Sequence, residues 1–184
     1  MSGREQRSRH DPLPFDPVEE AARQWHRHFG ADAAVDAMRA VTSLMRAHQL
    51  VLGALDRTLE SYGLTFARYE ALVLLTFTRT GALPLGKMGQ RLQVHPTSVT
   101  SIVRRLERDG LVRRAPHPVD GRGVLAEITD EGRARVASAT KDLVSEDFGL
   151  GALDGAARDT VHDLLTRVRR EAGDFADAPH DHDS

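Results

Sequence analysis

The stretch that most restricts how this chain can fold runs from Pro96 to Arg133. A helix-forming segment, "PTSVTSIVRRLERD", is closed by Gly110 and followed at once by two strand-like runs, "LVRRA" and "VLAEI". At 100° per residue, Val99, Ile102, Val103 and Leu106 fall on one face of the helix, and that face must be buried. The opposite face carries Thr97, Ser101, Arg104 and Arg108, flanked by Ser98, Thr100 and Arg105. Two prolines and two glycines separate the strand-like runs and predict a hairpin with a long loop. A helix with one apolar face and a hairpin directly after it must share a core with helices upstream.

Those helices are punctuated clearly. Asp16–Pro17 is an N-cap followed by proline at the first helical position, with Glu19 and Glu20 near the positive end of the dipole. This first helix is expected to reach Phe29, stop at Gly30 and carry the only tryptophan, Trp25. A long helix is expected from Asp32 to about Tyr62, with an apolar stripe including Val35, Met38, Val41, Met45, Leu52, Leu55 and Leu59. A stripe of that length calls for a packing partner along it. Thr65 is expected to cap a helix over "FARYEALVLLTFTR", ended by Gly81. A short extended piece at Leu83–Leu85 and a short helix from Lys87 to Leu92 come next. After the hairpin, Thr129 is expected to cap a helix towards Asp147, and Asp154 a last one to about Ala172. The expected fold is mainly α with a small β-hairpin.

Charge distribution sharpens this. From Lys87 to Arg122 stand eight basic residues (Lys87, Arg91, Arg104, Arg105, Arg108, Arg113, Arg114 and Arg122) and three acids. This locally cationic segment belongs to a chain whose formal net charge is -2, an electrostatic footprint that the total conceals. The chain has no cysteine, which removes thiol catalysis and cysteine-ligated zinc. Its apolar runs are too short to span a bilayer, and the N-terminus lacks a signal-peptide core, so no membrane association is expected and the cytosol is the expected compartment. The nine histidines do not cluster at metal-ligand spacing, "GRG" at Gly121–Gly123 lies in a hairpin rather than between strand and helix, and no nucleophile–base pair stands out. Neither metal, cofactor nor enzymatic activity is expected.

The arrangement of the cationic segment sets what it can do. Small hydroxyl residues fill the N-terminal half of the polar face of Pro96–Asp109, and arginines the C-terminal half. Such a helix can enter a DNA major groove N-terminus first, its hydroxyls bonding base edges or phosphates. With Lys87–Leu92 before it, the pair forms a helix-turn-helix, and the hairpin makes a wing. Arg122, between Gly121 and Gly123, then sits at the wing tip, where it suits the narrow minor groove, and Asp120 is close enough in sequence to brace it.

"LGKMGQRLQVHPTSVTSIVRRLERDGLVRRAPHPVDGRGVLAEITDEGR" resembles the DNA-binding core of the MarR family of bacterial transcription regulators. The likeness rests on Asp120-x-Arg122, a short strand, and Ile128-Thr129-x-x-Gly132-Arg133. It covers roughly Asp32 to Ala172. It implies a winged helix-turn-helix homodimer joined by N- and C-terminal helices, bound to a palindromic operator in double-stranded DNA and released by a small ligand. Lys87, Thr97, Ser98, Thr100, Ser101, Arg104, Arg114, Asp120 and Arg122 are the DNA-binding residues it implies. The extra helix bearing Trp25 is similar to a subgroup that responds to anionic metabolites, urate or citrate- and aconitate-type acids. Glu70 stands where urate-binding members carry an acid. "ARYEALVLLTF" and the downstream "LPLGKMGQRLQVHPTSVTS" resemble the aconitate-responsive branch more. Trp25, Arg46, Glu70 and Arg105 are the implied residues for a small anionic effector, since a carboxylate favours bidentate arginine.

The expected organisation is an arm over residues 1–14, N-terminal helices for dimerisation and ligand over 15–63, the winged helix-turn-helix over 64–128, C-terminal dimerisation helices over 129–176, and a tail over 177–184. The arm and tail are polar and read as disordered. The competing reading is a winged helix that serves protein interaction without binding DNA.

Overall fold

The computed structural model describes residues 12–30, 33–116 and 123–176. They fall into two compact units, one ending at Leu50 and one beginning at Val51. Most of the expected arm, the tail, and the wing residues Asp120 and Arg122 lie outside the described residues.

The first unit holds α1 (Pro17–Phe29) and the beginning of α2 (Val35–Glu60). Asp16 caps α1 as its sequence predicts, accepting the Val18 N–H at 2.8 Å, and Gly30 ends it. Arg39 on α2 pairs with Glu19 on α1. Trp25 packs its ring against Phe29, with centroids 4.7 Å apart, and its indole N–H donates to the Ala33 carbonyl at 2.8 Å.

The second unit is built from the end of α2, α3 (Phe66–Thr76), β1 (Ala82–Pro84), α4 (Leu85–Leu92), α5 (Pro96–Arg108), β2 (Val112–Pro116), β3 (Val124–Ile128), α6 (Asp130–Ser145), a single 3-10 turn at Asp147–Gly149, and α7 (Gly155–Glu171). The strands form one antiparallel sheet in the order β1-β3-β2, with both Leu83 and Arg114 opposite Ala126. The core gathers Leu59, Leu72, Leu75, Met88, Val99, Val103, Leu106 and Leu143, all fully buried.

Several boundaries differ from the sequence expectation. Helix α3 stops at Thr76 rather than near Arg79, because the Thr78 hydroxyl and N–H both turn back to the Leu75 carbonyl and compete with the helical ladder. Thr65 precedes α3 in extended conformation but its hydroxyl caps nothing; Asp56 on α2 accepts the Phe66 N–H at 2.6 Å instead. The extended piece expected at Leu83–Leu85 lies one residue earlier, and α4 begins at Leu85 rather than Lys87. That piece joins the hairpin as a third strand, Leu83 opposite Ala126, a long-range pairing that no local pattern reveals.

The junction between wing and α6 explains the Thr-x-x-Gly pattern. Thr129 accepts the Gly132 N–H with its hydroxyl at 3.0 Å and donates to the Gly110 carbonyl at 2.8 Å. A Cβ on Gly132 would collide with the Leu111 carbonyl oxygen and approach Ile128 Cγ1 to 2.9 Å. Only a residue without a side chain lets the first turn of α6 pack this closely on the loop after α5.

Candidate nucleic-acid interface and ligand cavity

The two helices of the helix-turn-helix are α4 and α5. Gln93 ends α4 in the left-handed region (φ 51°), and the Val94 N–H returns to the Gly89 carbonyl at 3.2 Å. Pro96 opens α5, and His95 caps it: its Nδ1 accepts the Thr97 N–H at 3.3 Å. The sequence does not announce that cap, since histidine is an uncommon N-cap.

On α5 the apolar face is sealed by burial of Val99, Val103 and Leu106, with Ile102 partly buried beside them. Thr97, Ser98, Thr100, Ser101, Arg104 and Arg105 are exposed. Because the buried face fixes the rotation of the helix about its axis, the hydroxyls and arginines point outward together. Thr100 bonds back to the Pro96 carbonyl at 3.1 Å, so part of its hydrogen-bonding capacity is used within the helix.

The cations divide into two groups. Arg108 pairs with Asp109, Arg113 with Glu127 at 2.7 Å, and Arg114 with Glu107 at 2.7 Å. Lys87, Arg91, Arg104 and Arg105 have no carboxylate within ion-pair distance among the described residues. These four side chains are available to neutralise phosphate without first giving up an internal partner. Arg114 must exchange Glu107 for phosphate to act on DNA.

The four residues of the expected anion site are spread over the chain. Trp25 and Arg46 belong to the first unit; Glu70 on α3 and Arg105 on α5 belong to the second. Glu70 lines a cavity of about 620 Å³, and Arg105 is not in its wall. The cation in that wall is Arg133 on α6. Most of the rest is apolar, including Phe66, Val73, Leu74, Val136 and Phe148. Burial pushes the Glu70 carboxyl above the usual carboxylate range, although the residue keeps contact with solvent. In the sequence Arg133 is marked only as part of a family pattern. Its spacing with Val136, Ala137 and Thr140 places all four on one face of α6, and that was the available signal.

A helix-turn-helix completed by a three-stranded antiparallel wing, with its cations turned outward, defines a winged-helix DNA-binding regulator. The chain belongs to the MarR family: the family model matches residues 66–124. It is similar to Sco5413, a MarR family transcriptional regulator from Streptomyces coelicolor, at 53% identity over 78% of this chain and 100% of the other, with a TM-score of 0.73. It also resembles Sco3205 from the same organism, solved in complex with DNA, at 25% identity over 77% of this chain and 91% of the other, with a TM-score of 0.67. The HTH-type transcriptional regulator PecS of Dickeya dadantii is 29% identical over 157 residues, 83% of this chain and 93% of the relative. These relatives are named as regulators of transcription rather than as enzymes. Among the described residues, no helix is long and apolar enough to cross a membrane.

Proposed function

We propose that this chain is a homodimeric repressor that binds a palindromic operator and leaves it when a small anionic metabolite binds. The observation that carries the DNA reading is the division of α5: one face locked into the core, the other exposed, with Arg104 paired to no carboxylate among the described residues. Each protomer lays α5 in a major groove, where Thr97, Ser98, Thr100, Ser101 and Arg104 meet base edges and backbone. Lys87 and Arg114 meet phosphates. Asp120 and Arg122, outside the described residues, complete the wing in the adjacent minor groove. Half-sites are spaced by about one helical turn, roughly 34 Å.

Dimerisation is supported by α7, which has no buried residue and exposes Val161, Leu164 and Val168 at helical spacing. An apolar stripe of this kind needs a partner, and a second copy supplies the same stripe by two-fold symmetry. Residues 15–63 and 129–176 then serve dimerisation, and 64–128 serves DNA.

A mobility-shift assay on DNA upstream of the chain's own gene, with and without citrate or aconitate, tests operator binding and release together. Absence of any salt-dependent duplex binding rejects the regulator reading. Trp25 as a wall of an effector site is tested by Trp25→Phe, which keeps DNA binding and blunts release; unimpaired release removes Trp25 from the effector site.

A further inference from the structure

We infer that Glu107 restrains DNA binding: its carboxylate competes with phosphate for Arg114, so the wing meets a duplex with one of its cations already neutralised. The inference rests on the reading that α5 and the wing contact DNA. It gives an acid on that face a role opposite to that of the cations around it.

Three observations place Glu107 in this role. First, it stands at the edge of the contact face. It follows Arg104 by three residues, about 60° round the helix, and follows the buried Val103 by one turn. It therefore borders both the outward face of α5 and the core. Second, it holds Arg114 closely. Arg114 Nε donates to Glu107 Oε2 at 2.7 Å, and Nη2 lies 2.7 Å from the same oxygen. Successive side chains of β2 point to opposite faces of the sheet. Arg114 shares the face of the buried Val112, towards α5, whereas Arg113 lies on the other face and pairs with its register partner Glu127. The Glu107–Arg114 bridge thus joins the helix to the wing. Third, the bridge can open. The Arg114 and Glu107 side chains are 43% and 33% exposed, and a pair so open to solvent is weak enough for phosphate to displace.

Charge decides the sign of the effect. Moving Arg114 from carboxylate to phosphate exchanges one anion for another and leaves Glu107 unpaired beside the duplex. Arg114 and Glu107 together carry no net charge, so their arrival releases few counterions. With glutamine at position 107, the same arginine arrives as an unneutralised cation. Asp109 does not share this role, because its carboxylate also receives Arg68 and serves the tie between α3 and α5.

The test is a salt series of binding titrations with the full chain, on a duplex that the parent selects from a random pool and on an unselected duplex of equal length. Glu107→Gln is expected to tighten binding by about fivefold per protomer at low salt, the upper end for an exposed pair. It should also steepen the slope of log affinity against log salt by about one unit per protomer. The gain should be similar on both duplexes, since a phosphate contact carries no sequence. In an Arg114→Met background, Glu107→Gln is expected to change affinity by less than about twofold, because the cation it would release is gone. Glu127→Gln removes an equal charge from the other face of the wing and is expected to change affinity by less than about twofold as well. Binding by Glu107→Gln that is no tighter than the parent's, a gain that persists with Arg114→Met, or an equal gain in Glu127→Gln would each overturn the inference. A parent chain that binds neither duplex would instead reject the DNA reading on which it rests.

Discussion

Arg68 on α3 reaches across to Asp109, the residue that caps the end of α5, with Nη1 3.2 Å from Oδ2. Asp109 also receives Arg108 at 3.0 Å, so one carboxylate gathers two guanidinium groups at the negative end of the α5 dipole. The Arg68 side chain is only 15% exposed, which shields its pair from solvent more than the surface pairs around it. The bond ties the helix proposed to enter the major groove to the helix that lines the cavity.

Arg68→Ala is therefore expected to lower stability by about 1 kcal/mol, at the upper end for partly exposed pairs. It should also weaken operator binding more than that loss of folded protein explains. Urea unfolding and binding titrations on one preparation check both. Operator affinity equal to that of the parent chain would show that the tie does not position α5.

The free and paired cations should behave differently in salt. Arg104→Ala is expected to reduce the slope of log affinity against log salt by about one unit, and Arg122→Ala likewise. Arg113→Ala should change the slope less, because the Arg113 guanidinium is already 2.7 Å from the Glu127 carboxylate. Equal slopes for Arg104→Ala and Arg113→Ala would refute the division.

Gly132→Ala would force a Cβ into the Leu111 carbonyl oxygen. Overpacking of this kind costs about 1 to 3 kcal/mol. For a chain of this length, a thermal melt should fall by roughly 2 to 4 °C for each kcal/mol lost. A melting temperature within a degree of the parent would mean the junction yields freely.

Glu70 predicts a pH dependence. Burial raises its carboxyl pKa in the folded chain, so folding disfavours ionisation. The cost is present in full above the folded pKa. It fades as pH falls to the ordinary value of 4.5, where both states take up the proton. Glu70→Gln should therefore raise the melting temperature at about pH 8, with the gain shrinking as the pH is lowered towards the ordinary carboxylate range. A gain that stays constant over that interval would exclude Glu70 as its source.

Much of this molecule is legible from its residues in order. Asp16–Pro17, Pro96, Thr129 and Asp154 mark helix starts where the structure has them, because capping is settled within three or four residues. The buried face of α5 follows from its own periodicity, and with it the outward face. The helix-turn-helix and its wing, and hence the winged-helix class, were determined by such local signals. Tertiary structure alone decided the rest. It recruited Ala82–Pro84 into the sheet, set Asp56 rather than Thr65 at the start of α3, and gave Arg113 and Arg114 their carboxylate partners Glu127 and Glu107. It also brought Arg133 to the cavity that Glu70 lines, sixty-three positions away along the chain. Caps and stripes are energies of neighbours along the backbone. Ion pairs, strand partners and cavities depend on distances that exist only once the core of Leu59, Leu72 and Leu143 has closed.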